Sequence, residues 1–237
     1  MEFPAPLQPA RLIRRYKRFL ADIRLPDGSE AVAHCPNPGS MQGLAEPGTP
    51  ILVMPAAARG GARLPWSWKL VELGGGHLAG IDATLPNRVV AEALRAGAIP
   101  ALAGYREIAA EVTLAPGTRI DFRLSAPDRP PMWLEVKNVH LRRRGDLAEF
   151  PDSVTRRGAR HLEALAHAVA RGARAAMLYV VQRTDCRRFG LARDIDPAYG
   201  SAFAAAHAAG VTMLCHATRI TPGGVWLDAP LPVELPC

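Results

Sequence analysis

Short alternations of apolar and polar residues dominate the beginning of the chain. An alternating run from 18 to 25, a PDG turn and a second run at 30–34 predict a β-hairpin. Residues 11–23 also carry apolar side chains at helical spacing, so a helix is the alternative there. The turn needs a strand to join, which favours a strand from about Arg18.

Further apolar runs at 49–55, 66–73 and 77–82 are separated by Gly and Pro and predict three more strands. Five short strands in so few residues are typical of a small barrel. We therefore expect residues 1–85 to form an OB-fold-like nucleic-acid-binding domain and 86–237 a second domain. Trp66 and Trp68 share a strand face. They either stack on bases or pack in the core or at a domain interface, and their large size favours packing.

The pattern beyond residue 86 mixes helical and strand periodicities. Helices are predicted at 85–97, 150–172 and 196–210, with strands at 107–114, 119–124, 132–141, 175–183 and finally 211–220. Asp152 or Ser153 is the expected cap of the second helix. The order predicts an α/β domain (α+β for the whole chain) with a mixed central sheet flanked by helices.

Three charged residues interrupt two of these apolar strands. Asp121 lies in one, and Glu135 and Lys137 share a face of the next because strand periodicity is two. Their apolar neighbours, such as Ile120 and Phe122, are expected on the opposite face. A hairpin would place Asp121 beside Glu135, and two close carboxylates repel unless a cation lies between them.

The arrangement predicts a site for Mg²⁺ or Mn²⁺, which prefer carboxylate oxygens. Asp121 and Glu135 would bind the ion with the carbonyl of Val136, Lys137 would position or activate water, and Glu92 would be a supporting acid. The alternative is a cross-strand ion pair on a solvated face. Only three of the 29 basic residues are lysines, so a lysine at this position favours the functional interpretation.

The spacing D-x13-E-x-K, between a helix and a helix–strand pair, resembles the PD-(D/E)xK nuclease superfamily. The chain also resembles the sugar fermentation stimulation protein A (SfsA) family, through RRYKRFLADI, HCPNPGSM, LPNRVVAEAL, TRIDF, LEVKNVHL, FPDSVTRRGARHL and VVQRTD. The resemblance implies an OB-fold domain, a nuclease-like domain, and DNA binding without sequence preference. Catalysis is an expectation from the motif. The family usually has threonine where Pro38 stands here.

Net charge is +7, which favours a polyanionic partner. The candidate phosphate-binding residues are Arg14, Arg15, Lys17, Arg18, Arg142, Arg143, Arg156, Arg157 and Arg160. For the first four, a solvated barrel face is the alternative. The loop bearing His34, Asn37 and Ser40 is either a structured turn or a nucleic-acid or interdomain contact, and both interpretations stay open.

Three functions are compatible with these features. The first is a metal-dependent nuclease. The second is a DNA-binding regulatory protein that does not cut and affects sugar (maltose) metabolism. The third, an enzyme acting on a small sugar-linked molecule, has no phosphate-cradling glycine loop or nucleophile motif to support it. Scattered cysteines and an N-terminus without an apolar run lead us to expect a cytoplasmic protein without membrane contact. A homodimer stays open, since several nuclease relatives are dimers.

Overall fold

The first part of the chain folds as a β-barrel in the computed structural model, which describes residues 1–56 and 64–235. Its strands are β1 (Gln8–Tyr16), β2 (Leu20–Arg24), β3 (Glu30–His34), β4 (Pro50–Pro55), β5 (Trp66–Gly74) and β6 (His77–Gly80). A parallel pairing of β3 with β5 closes β1, β2, β3, β5 and β4 into a ring, and β6 extends it beyond β5. The prediction of an OB-like five-stranded barrel is confirmed.

Strand β1 was not predicted. Among its nine residues only Ala10 and Leu12 are fully buried, and its arginines hide the alternation. The helical alternative for 11–23 is wrong, because Lys17 and Arg18 form the β1–β2 turn with positive φ angles of 48° and 62°. The next strand accordingly begins at Leu20 instead of Arg18.

The two tryptophans of β5 pack in the barrel. Trp68 is fully buried, and its indole N–H donates to the carbonyl of Leu70 at 2.9 Å. Trp66 is half-buried against the same apolar cluster. Stacking on bases is therefore excluded for Trp68, and core packing is the interpretation that the structure supports.

The second part of the chain is built on a six-stranded mixed sheet. Its strands, in spatial order, are β15 (Gly224–Pro230), β14 (Thr212–Thr221), β12 (Arg174–Val181), β9 (Arg129–Val139), β8 (Thr118–Ala126) and β7 (Glu107–Ala115). Helix α1 (Leu85–Arg95) covers one face; α2 (Arg156–Ala170) and α3 (Pro197–Ala208) cover the other. A short 3₁₀ helix occupies Pro100–Leu102. The predicted mixed sheet flanked by helices is confirmed.

Several elements of this part differ from the sequence prediction. A small sheet of β10 (Leu141–Arg144), β11 (Leu147–Phe150) and β13 (Arg188–Leu191) was missed, since its four-residue strands are too short to show a period. Strand β15 follows the strand predicted to be last. Helix α2 is capped by Thr155, whose hydroxyl accepts from the N–H of Gly158 at 3.1 Å, and not by Asp152 or Ser153.

The first residues of the chain join the second sheet. Glu2 bridges to Gly224, and the N–H of Phe3 donates to the carbonyl of Gly223 at 2.9 Å. The predicted division after residue 85 stays a prediction. Across 1–56 and 64–235, no helix is long and apolar enough to cross a membrane.

Candidate metal centre

Strands β8 and β9 separate at Asp121. Their pairing runs up to Phe122 opposite Leu134 and stops there. Ile120 packs in the core beneath α2 and α3, whereas Phe122 packs in the core beneath α1. The alternation of faces is therefore broken at Asp121, and the expectation that Ile120 and Phe122 share a face is wrong. Opposite Asp121 on β7, Glu111 has a φ of +57°, so the distortion involves both strands.

The carboxylate of Asp121 fills the gap that this separation leaves. Its Oδ2 accepts from the N–H of Val136 at 2.7 Å, and its Oδ1 accepts from the side-chain amide of Asn87 at 2.7 Å. Burial and, secondly, the nearby charge of Glu135 raise the pKa of Asp121 to about 6. Ionising Asp121 therefore costs free energy unless a positive charge lies beside Asp121 and Glu135.

Glu135 is buried and uses its two carboxylate oxygens differently. Oε1 accepts from Lys137 Nζ at 2.6 Å and from Nδ1 of His161 on α2. Oε2 faces Asp121, whose N–H lies 3.4 Å away. Burial alone would raise the pKa of Glu135, but the hydrogen bond from His161 and the charge and hydrogen bond of Lys137 outweigh it and lower that pKa. Glu135 is therefore ionised and presents Oε2 to the gap.

The hydrogen bonds of His161 define its tautomer. Arg157 Nε lies 3.3 Å from His161 Nε2 and can only donate, so Nε2 is the acceptor. The proton then sits on Nδ1 and is donated to Glu135. Lys137 Nζ, 3.4 Å from the same Nδ1, points to the same oxygen of Glu135. This carboxylate is held from the α2 side by two donors, which orients it.

The donor atoms that face the gap suit a hard divalent cation. In an extended strand the N–H and C=O of one residue point to the same edge, so the carbonyl of Val136 faces Asp121 as its N–H does. Among the described residues, no group of three or more His, Cys, Asp or Glu side chains could hold a metal. An ion here would therefore be completed by main-chain oxygen and water, as Mg²⁺ commonly is.

Helix α1 contributes a residue other than the one predicted. The carboxylate of Glu92 lies 2.8 Å from the amino group of Met1 and is half-exposed, so its role as a supporting acid stays a prediction. Asn87, at the start of the same helix, is the residue that reaches Asp121. The sequence analysis did not identify Asn87 as a site residue, and it gave His161 no role at the metal site. For His161, the i, i+4 spacing with Arg157 was a signal that could have indicated a contact between these two side chains.

The basic residues of β1 and its turn have mixed surroundings. Arg14 is paired with Asp22 at 2.6 Å. Arg15 donates to the carbonyls of Asn37 and Gly39 at 2.7 and 2.9 Å, and so holds the following loop. Lys17 and Arg18 are exposed. Contact of this run with nucleic acid stays a prediction.

The arginines after β9 are already neutralised by carboxylates. Arg142 pairs with Asp185 at 2.7 Å, and Arg143 pairs with both Glu149 and Asp194 at 2.6 Å. A phosphate approaching either guanidinium would have to compete with these acids. The structure therefore disfavours their predicted role as phosphate contacts.

The arginines at the start of α2 are exposed beside the acidic pair. Arg157 and Arg160 line a cleft of about 450 Å³ together with Arg119 and His161. Arg156 is exposed as well. The structure thus brings Arg157 and Arg160 close to Asp121, Glu135 and Lys137, through His161.

Comparison with known proteins assigns both parts of the chain to one family. Residues 13–81 match the family described as "SfsA N-terminal OB domain", and residues 84–224 match "Sugar fermentation stimulation protein RE domain". The chain belongs to the SfsA family.

Similar SfsA-family proteins span the whole chain. A "sugar fermentation stimulation protein homolog" of Jannaschia sp. (strain CCS1) is 57% identical over 99% of this chain and 97% of its own. One of Dinoroseobacter shibae is 55% identical over 99% and 96%. A solved structure, Pyrococcus furiosus SfsA in complex with Ca²⁺, matches 99% of this chain and 98% of its own with a TM-score of 0.88 and 25% identity.

The SfsA motif HCPNPGSM forms a contact between the two matched regions. Asn37 is buried and donates to the carbonyl of Ile81 at 2.8 Å. The N–H and hydroxyl of Ser40 both donate to Asp152 Oδ2 at 3.1 Å, across 112 positions of the chain. His34 is exposed, and its ring stacks on Phe19. Of the interpretations left open for this loop, the structure supports the interdomain contact.

Pro38, the departure from the usual family motif, lines a cavity at the same contact. The cavity measures about 170 Å³ and is also lined by Asn138, His140 and Asp152. Pro38 is exposed, and neighbouring Gly39 donates its N–H to Asn37 Oδ1 at 2.8 Å. The loop thus keeps its hydrogen bonds without the threonine hydroxyl and without an N–H at position 38.

Proposed function

We propose that this SfsA-family protein is a divalent-metal-dependent nuclease, which binds DNA without sequence preference and hydrolyses phosphodiester bonds at Asp121 and Glu135. One observation carries the proposal. The carboxylates of two separated strands meet in a gap, and burial together with the charge of Glu135 raises the pKa of Asp121 to about 6. A purely structural ion pair would not need a second buried acid beside Glu135.

A divalent cation fits this gap. Asp121, Glu135 Oε2 and the Val136 carbonyl would hold Mg²⁺ or Mn²⁺, which would supply an activated water and neutralise charge on the phosphate. The solved Pyrococcus furiosus SfsA is a complex with Ca²⁺, another oxygen-binding divalent cation, which supports metal binding in the family.

The residues of this chain would prepare the reaction around that position. Lys137 Nζ uses one of its three protons for Glu135 and keeps two to orient a water or to stabilise negative charge developing on the phosphate. Asn87 and the Val136 N–H orient Asp121, while His161 orients Glu135. Both acids are thus held in place before substrate arrives, which lowers the reorganisation needed for the reaction.

A second candidate function is a DNA-binding protein that does not cut. The positive net charge and the OB-like barrel favour nucleic acid as the partner in either case. The acidic pair discriminates between the two, because two carboxylates would repel a phosphate unless a cation neutralised them.

A cleavage panel tests the proposal. Single-stranded, double-stranded and branched DNA, and RNA, are incubated with the protein in Mg²⁺, Mn²⁺ or EDTA. We expect metal-dependent cutting that falls at least about 100-fold in Lys137→Ala, while DNA binding in Ca²⁺ is retained.

Asp121→Asn should behave like Lys137→Ala. Asp128→Asn, at an exposed turn of the same hairpin, is the matched control and should cut like the unaltered protein. Salt-sensitive binding with no cutting of any substrate would instead establish the second candidate function.

A further inference from the structure

The cleft beside the metal centre has the composition of an anion-binding site. It lies between the start of β8, which supplies Arg119, and the first turns of α2, which supply Arg157 and Arg160. Thr113 and Thr118 add hydroxyl groups to its wall. The guanidinium groups of Arg157 and Arg160 repel each other in this cleft unless an anion joins them.

The charges of the α2 arginines are not neutralised within the protein. Arg142, Arg143 and Arg188 are each paired with a carboxylate. Within residues 1–56 and 64–235, neither Arg157 nor Arg160 forms such a pair. Spaced three residues apart on a helix, the two side chains project from the same side. They are therefore available to a ligand from outside the chain.

A chain of hydrogen bonds joins this cleft to the metal centre. Arg157 donates through Nε to His161 Nε2, and His161 donates through Nδ1 to Glu135. This use of Nε leaves the two terminal nitrogens of Arg157 for a ligand. Arg119, by contrast, pairs through Nε with the carboxylate of Glu111 at 2.7 Å, so its charge is compensated within the protein. The cleft is thus separated from Glu135 by a single imidazole ring.

We propose that Arg157 and Arg160 bind the phosphate that neighbours the scissile phosphate on the same strand. This inference rests on the proposed function and narrows its substrate class. The substrate is a nucleic-acid strand with at least one further phosphodiester next to the one that is cut. A small diester lacking that second phosphate would make no use of the cleft.

Two substrates separate this role from a role at the scissile phosphate. One is an oligonucleotide of the kind cut in the cleavage panel, and the other is bis(p-nitrophenyl) phosphate, which has a single phosphate. In Arg160→Ala we expect kcat/KM to fall about 10- to 100-fold on the oligonucleotide and to stay unchanged on the small diester. Arg160 is the preferred variant, because changing Arg157 would also disturb His161.

Arg174→Ala is the matched control. Arg174 is exposed at the start of β12, five residues along the sheet from the position opposite Lys137, or about 16 Å. It should leave both activities unchanged. Equal losses on both substrates in Arg160→Ala, or no loss on either, would overturn the proposal.

Binding gives an independent test if the protein cuts neither substrate. Anisotropy of a labelled oligonucleotide in Ca²⁺ should show about 10-fold weaker binding for Arg160→Ala, with a salt dependence reduced by about one phosphate contact. Replacing one phosphate at a time by a neutral methylphosphonate should weaken binding to the unaltered protein at one position. At that position Arg160→Ala should show no further loss. Failure of cutting alone would refute the proposed nuclease, whereas unchanged binding by Arg160→Ala would refute the phosphate subsite.

Discussion

The raised pKa of Asp121 predicts that the contribution of this residue to the stability of the metal-free protein falls as the pH rises from about 4 to about 6. In that range the folded protein keeps a proton on Asp121 that the unfolded chain has released. Folding therefore binds a proton at Asp121, and the contribution of this residue to the free energy of unfolding falls with rising pH. The direction is opposite to that of the more common acid whose pKa is lowered by folding.

The magnitude follows from the pKa. A rise from the ordinary 3.8 to about 6 corresponds to about 3 kcal/mol, present as a cost above pH 6 and absent below pH 4. For a domain of this size that cost lowers Tm by roughly 6 to 12 °C. Bound Mg²⁺ or Mn²⁺ should remove most of it, because the cation stabilises ionised Asp121.

The assay is denaturation of the unaltered protein and of Asp121→Asn between pH 4 and 8 in EDTA. Taking the difference between their free energies of unfolding cancels the contributions of the other titrating groups. Asparagine can still accept one hydrogen bond, and the amide of Asn87 can rotate to accept the other, so the steric change is small. We expect Asp121→Asn to gain about 3 kcal/mol relative to the unaltered protein between pH 4 and pH 7.

The control is Asp128→Asn. This carboxylate is exposed and hydrogen-bonded to Arg129, which lowers its pKa, so its difference curve should not rise between pH 4 and pH 7. A flat curve for Asp121→Asn, or one that falls with rising pH, would show that Asp121 and Glu135 do not share an unneutralised gap.

Two further substitutions probe residues that support the site. His161→Ala should weaken Mn²⁺ binding about 10- to 100-fold. His161→Asn should restore most of this affinity, because its amide can replace the Nδ1 donor to Glu135. Calorimetric titration measures both affinities, and equal values for the two variants would contradict the orienting role of His161. Asp152→Ala should reduce the free energy of unfolding by about 1 kcal/mol, because it removes two water-exposed hydrogen bonds between Ser40 and a carboxylate. Urea denaturation checks the loss, and Asp152→Asn, which keeps an acceptor, should lose less.

Local periodicity determined the main elements and the chemistry of the site. Alternating runs predicted four of the barrel strands, and helical stripes predicted α1 and α2. Period two placed Glu135 and Lys137 on one face, and the hairpin brought Asp121 next to Glu135. These features depend on neighbours close in sequence, which a pattern reveals.

Tertiary structure decided what depends on partners distant in sequence. Strand β1 carries too many arginines to show its alternation, and only its pairing with β2 and β4 makes it a strand. The change of face at Asp121 arises because its carboxylate replaces a main-chain partner of Val136. Glu92 and Asn87 are both polar positions of one helix, and packing of that helix on the sheet selected Asn87 for the site. The sequence alone thus determined which charges are present, while the fold determined which of them meet, because the energy of burying a charge depends on every element packed around it.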